Sequence, residues 1–148
     1  MTPVPPAGWE ERAARAVERG RRWDRWIPGI LLDSPLSRLG YLGGTAFGFV
    51  WGTLWSTGRI ERRAGLWVFR GMPEATFGRG GVCVGGCFLT GVGAIDDRLL
   101  AHEAVHREQW RRYGILMPLL YLFAGSDPLT NRFEIEAGLA DGRYVPRG

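Results

Sequence analysis

A chain of 148 residues, 45% hydrophobic and 23% charged, is large enough to bury one modest core and too apolar to be disordered. The formal charge is +4 and all 19 basic residues are arginine; they are scattered among acids rather than gathered in a stripe, which argues against a nucleic-acid partner. Two cysteines are too few to supply the four thiolates of an ordinary iron–sulfur cluster.

Residues 1 to 8 are Pro-rich and expected to be loosely held, leaving residues 9 to 148 as one domain. Residues 9 to 26 predict a charge-dense helix with Ala13, Ala16 and Val17 among its apolar positions. A solvated surface helix is the expectation, with a membrane-surface helix as the alternative, since arginine and tryptophan suit that boundary. The polar start shows no apolar core of a secretory signal, so the expected location is cytoplasmic.

The stretch LGYLGGTAFGFVWGTLWSTG, residues 39 to 58, carries no charge, and Arg38 and Arg59 flank it. It is just long enough to reach across a bilayer, yet it is rich in glycine, which loosens a soluble helix and is better tolerated in a membrane. Membrane contact through residues 39–58 and burial in the core both stay open, as does the oligomeric state.

Residues 65 to 95 read as strands. Leu66, Trp67, Val68 and Phe69 run up to a Gly–Met–Pro turn, and Val82, Val84, Phe88 and Leu89 lie among glycines that suggest a bulge or close backbone approach. In one extended strand, Cys83 and Cys87 would be about 13 Å apart, so two buried thiols are expected rather than a disulfide. A best-specified helix follows: DDRLLAHEAVHREQWRRYG begins at Asp96 and Asp97, both good N-caps, and ends at Arg111, Arg112 and Gly114. ILMPLLYLFAG is too short to cross a bilayer. In SDPLTNRFEIEAGLADG, Ser126, Thr130 and Asn131 are candidate caps and Gly142 a candidate stop.

Both histidines of the chain fall in the HEAVH of that helix. Residues four apart share a helix face, so His102 and His106 point together and can share one metal ion. Glu103 projects to one side, where it can act as general base on a metal-bound water without being a ligand. Catalytic zinc usually takes three protein ligands. With no third histidine, the C-terminal Glu134, Glu136 and Asp141 are the candidates. Glu134, Ala137, Gly138 and Asp141 share one helical face whose small residues allow close packing. Glu136 lies elsewhere, four residues from Arg132, with which it would pair. Glu134 is therefore the expected ligand, and Asp141 a candidate acceptor for a ligating imidazole.

These residues resemble the gluzincin class of zinc metallopeptidases, in which HExxH is followed by a helical carboxylate. LLAHEAVHREQWRRYG, ILMPLLYL and NRFEIEAG are more closely similar to a family of small bacterial proteins that pair a His-Glu-x-x-His helix with an Asn-x-Phe-Glu segment. The resemblance spans about residues 40 to 145 and implies a zincin-like fold without naming a substrate. In its Glu-x-x-Ala-Asp version an acid follows the alanine; here Gly138 stands in that place.

The expected fold is α+β and zincin-like: a small Gly-rich sheet packed on the HExxH helix, with a C-terminal helix bearing the third ligand. The expected activity is zinc-dependent hydrolysis of a peptide or protein, with Zn²⁺ on His102, His106 and Glu134 and Glu103 as base. Tyr113 and Tyr144 are candidate oxyanion donors, and the Gly-rich strand near residues 81 to 90 is expected to offer its edge to an extended peptide. The alternatives are a non-catalytic zinc-binding protein and a membrane-associated interaction protein.

Overall fold

A computed structural model describes residues 2–78 and 80–147 of the chain. The architecture is mixed α+β, with five α-helices and a four-stranded mixed sheet. In chain order the elements are α1 (Trp9–Asp24), α2 (Pro35–Trp55), β1 (Glu61–Arg63), β2 (Leu66–Phe69), β3 (Val82–Val84), β4 (Cys87–Leu89), α3 (Asp97–Tyr113), α4 (Leu116–Ala124) and α5 (Arg132–Ala137). The sheet order is β1-β2-β4-β3, with β2 and β4 parallel and the outer pairs antiparallel.

Both faces of the sheet are covered, and the period of two in the strands decides which residue goes where. Leu66 and Val68 of β2, Cys83 of β3 and Phe88 of β4 form one cluster with Leu100 of α3. The residues between them, Phe69, Cys87 and Leu89, form a second cluster on the other face, against Phe49 and Trp51 of α2. The sheet thus carries α2 on one face and α3 on the other, and the two helices also meet directly where Gly44 lies on Trp110. The stretch 81–90 is a tight hairpin rather than one strand. Gly85 turns it at φ 58° and sits so close to α2 that a Cβ there would lie 2.3 Å from the Thr45 nitrogen. Cys83 and Cys87 sit on opposite faces of the sheet as buried free thiols. Burial pushes the Cys87 thiol up to about 12, which disfavours the thiolate.

Four of the five glycines of α2 fall every fourth residue on its inner face. Gly40 lies on the backbone of Gly114 and Ile115, Gly44 on the Trp110 ring, Gly48 on Cys87 and Val84, and Gly52 on the Phe69 ring. They let the helix axis approach α3 and the sheet more closely than any side chain would. The flexibility that glycine brings to an isolated helix is offset by this contact, and by a capping box in which Ser34 and Ser37 exchange bonds ahead of Pro35. The opposite face of α2 is exposed and apolar: Leu39, Phe47, Val50 and Leu54 are each about 60% exposed or more. No helix among the described residues is long and apolar enough to cross a membrane.

α1 is a surface helix that buries Ala13 and Ala16. It is fastened by Asp24, whose carboxylate accepts from Tyr113 at 2.7 Å and pairs with the buried Arg132 at 2.8 Å. Arg132 is therefore committed to Asp24 rather than to Glu136, the partner that the i,i+4 spacing suggests, and Glu136 is exposed.

Candidate metal centre

Asp96 starts the ligand-bearing helix: its side chain accepts from the Leu99 nitrogen at 2.8 Å, and Gly114 ends the helix after Tyr113. Between these stops, His102, Glu103, His106, Gln109, Trp110 and Tyr113 are all buried, a face of period three to four. α5 is set by Asn131. The amide oxygen accepts from the Phe133 nitrogen at 3.0 Å, while the amide nitrogen donates to the carbonyls of Tyr121 and Gly125. One side chain thus caps α5 and ties it to the end of α4. Phe133, fully buried, packs between Tyr113 and Tyr121. The next residue, Glu134, is delivered to the histidines.

His102 Nε2 lies 3.1 Å from His106 Nε2 and 3.1 Å from Glu134 Oε2, and His106 Nε2 lies 3.4 Å from the same oxygen. All three residues are buried. Atoms ligating one tetrahedral zinc at about 2.0–2.1 Å stand about 3.3 Å from one another, so the triangle has the right size for such an ion.

The hydrogen bonds behind the rings assign the protons. His102 Nδ1 faces the Gly138 carbonyl at 2.9 Å; a carbonyl only accepts, so Nδ1 carries the hydrogen. Gln109 donates its amide nitrogen to the Phe133 carbonyl at 3.0 Å, which turns its oxygen to His106 Nδ1 at 2.8 Å. That nitrogen is a donor as well. In the neutral tautomers, both Nε2 atoms aim lone pairs at the Glu134 oxygen, and three acceptors converge with nothing between them. Only positive charge relieves this. A single proton on one Nε2 cannot bridge all three contacts; a divalent cation can. The Tyr121 hydroxyl donates to the other oxygen, Glu134 Oε1, leaving Oε2 for the centre.

The residues themselves call for positive charge at this point. Burial raises the pKa of Glu134, but with a proton on Nε2 the rings can donate to it, and those bonds, with the one from Tyr121, overcome burial and hold the carboxyl well below its ordinary range. Burial alone would lower that of His106, yet the Glu134 and Glu103 carboxylates outweigh it and the net shift is upward. Glu103 is raised, chiefly by burial, and its Oε2 finds no hydrogen-bond partner among the described residues.

Of the remaining expected site residues, Asp141 does not hold an imidazole. α5 ends at Ala137, where Gly138 takes φ 99°, so Asp141 is off that helix and faces Arg98 at 3.9 Å. The Gly138 backbone does the work expected of Asp141, and Gly138 rather than Gly142 stops the helix. Tyr113 is no oxyanion donor, being bonded to Asp24, where burial and that bond raise its pKa to about 12. Tyr144 does lie near the centre, its ring 6.0 Å from that of His102. Tyr121 and Gln109 are additions. Gln109 stands three residues after His106, a same-face spacing that marks it. Tyr121 has the one polar side chain in ILMPLLYLFAG.

The segment after α5 closes over the site. A Cβ on Gly142 would lie 2.5 Å from His102 Cε1, and Arg143 and Arg147 anchor the segment to Asp96 at 3.4 and 3.1 Å. β3 is an edge strand packed on α3, and part of that edge is taken, since the Cys83 carbonyl accepts from the Trp110 indole at 3.0 Å. Compared with known protein families, curated proteins and solved structures, the chain matches none.

Proposed function

We propose that the chain is a zincin-like metal-dependent hydrolase that holds Zn²⁺ on His102, His106 and Glu134 and cleaves a peptide or protein. The observation that carries this reading is the convergence of His102 Nε2, His106 Nε2 and Glu134 Oε2 within 3.1–3.4 Å of one another. Two imidazoles and a carboxylate are a catalytic zinc donor set, and three protein ligands leave a coordination position for water. A bound Zn²⁺ there supplies a water of lowered pKa and polarises the scissile carbonyl.

Glu103 suits the proton work. It sits beside His102 on the same helix, buried, with one oxygen free of any hydrogen-bond partner among the described residues and a pKa raised chiefly by burial. Glu103 takes a proton from water as the water oxygen bonds to the carbonyl carbon. The carbon–nitrogen bond then breaks and Glu103 returns that proton to the leaving amine. Gln109 and the Gly138 carbonyl keep both rings in the ligating tautomer, and Tyr121 fixes the Glu134 carboxylate.

A second reading, a structural zinc site without turnover, is favoured by one observation: the ligands are buried and Gly142 lies against His102, as in closed sites. Glu103→Gln separates the two. The hydrolase reading expects full zinc content by elemental analysis, with turnover of a peptide library reduced about 10²- to 10⁴-fold. Loss of zinc in Glu103→Gln, or a zinc-loaded parent that cleaves nothing, defeats the hydrolase.

A further inference from the structure

The outer face of α2 has no partner in the fold. Leu36, Leu39, Leu42, Phe47, Val50 and Leu54 stand on it, each at least half exposed. The helix has 21 residues, so this ridge runs about 30 Å. Soluble surfaces rarely leave such a ridge bare without a use for it.

Charge decides what covers the ridge. Between Asp33 and Glu61 there is no acidic residue. Arg38 at one end and Arg59 and Arg62 at the other are exposed; Arg63, by contrast, is held by Asp97 at 3.5 Å. A second copy stacked face to face sets these arginines against one another in either direction. Parallel helices bring like ends together, and antiparallel helices bring Arg38 to Arg59 and Arg62; the acids at these ends are already offset, Asp33 facing Arg112 at 3.8 Å and Glu61 flanked by Arg59, Arg62 and Arg63. An anionic lipid surface supplies phosphate at both ends and acyl chains along the middle. The inner face of α2 is committed to the sheet and α3, so only one side of the helix can enter.

We propose that α2 docks the protein in the plane of an anionic membrane surface, with Leu39, Phe47, Val50 and Leu54 below the headgroups and Arg38, Arg59 and Arg62 at their level. This is independent of the metal reading. It is tested by co-sedimentation of the full chain with vesicles of phosphatidylcholine alone or mixed with phosphatidylglycerol. The parent is expected to bind the mixed vesicles and to partition roughly tenfold less to the neutral ones. Phe47→Asp with Val50→Asp abolishes binding while the circular dichroism and zinc content stay those of the parent. Arg59→Ser with Arg62→Ser lowers binding to mixed vesicles by roughly tenfold. The proposal is overturned by no binding to either vesicle, by equal binding to both, or by a Phe47→Asp, Val50→Asp variant that binds like the parent. It is also overturned if the parent is a dimer in solution that these two substitutions split while vesicles leave it intact; the face then belongs to a second copy.

Discussion

The Nε2 atoms of His102 and His106 face each other at 3.1 Å, and each ring directs its Nδ1 to an oxygen behind it. With Glu134 Oε2 closing the triangle, one metal ion per chain is expected by elemental analysis. His102→Ala, His106→Ala and Glu134→Ala each remove it, while Glu136→Ala, on an exposed side chain, leaves it. The metal is also expected to leave as the pH is lowered, because the imidazoles must be neutral to ligate. Metal retained in His106→Ala would assign the ion to another place.

Gln109 and Tyr121 contact His106 and Glu134, two of the proposed ligands. Gln109→Leu takes away the acceptor that holds His106 in its tautomer, and Tyr121→Phe takes away the donor on Glu134. Each is expected to weaken metal affinity about 10- to 100-fold in a competition titration with a chelator. An affinity equal to the parent's in both variants would show that the ligands need no such support.

Glycine plays opposite parts on the two faces of α2. Gly52→Ala puts a Cβ 2.4 Å from Phe69 Cγ, whereas Gly43→Ala meets nothing within 4 Å. The first is expected to destabilise the fold by about 1–3 kcal/mol and the second to stabilise it by up to about 1 kcal/mol through helix propensity. Denaturant titration of both variants checks the pair; a neutral Gly52→Ala would mean the helix is free to move off the sheet.

The Asp96 carboxyl is lowered from 3.8 to about 2, first by the bond from the Leu99 nitrogen and then by Arg147. A folded-state pKa below the unfolded value stabilises at pH above the unfolded one and loses that contribution as pH falls through the folded one. The stabilisation is therefore complete above about pH 4 and disappears toward pH 2. Asp96→Asn is expected to flatten the melting-temperature profile over that interval, and an unchanged profile would remove Asp96 from the account.

How much of this could be read from the letters depends on the range over which each feature is determined. The HEAVH helix was legible because its cap, its stop and its paired imidazoles lie within one element. Glu134 was reached by a facial argument that ran on to Asp141, although the helix ends at Gly138; Ala137 alone carries the small-residue part of it. Tyr113 was misread because its partner, Asp24, is 89 residues away, a separation no local pattern reports. Residues 39 to 58 left membrane contact and core burial open; the helix buries Gly44, Gly48 and Gly52 on the protein and exposes Leu39, Phe47, Val50 and Leu54, so core burial holds for one face only. The tight hairpin at Gly85 and Gly86 was hidden inside a run that reads equally well as one strand.

The Asp24–Arg132 pair joins the first of these helices to the last across 108 positions of chain, whereas His102 and Glu134 are 32 apart. Loop-closure entropy grows slowly with length, but the longest loop still closes at greatest cost, and it closes on the residue two before Glu134. The centre and the α1 clasp therefore share one short element. An ion held on Glu134 as proposed would give α5 a second anchor beside Arg132, and amide exchange in α1, which Asp24 ties to that element, would then report whether the ion is in place.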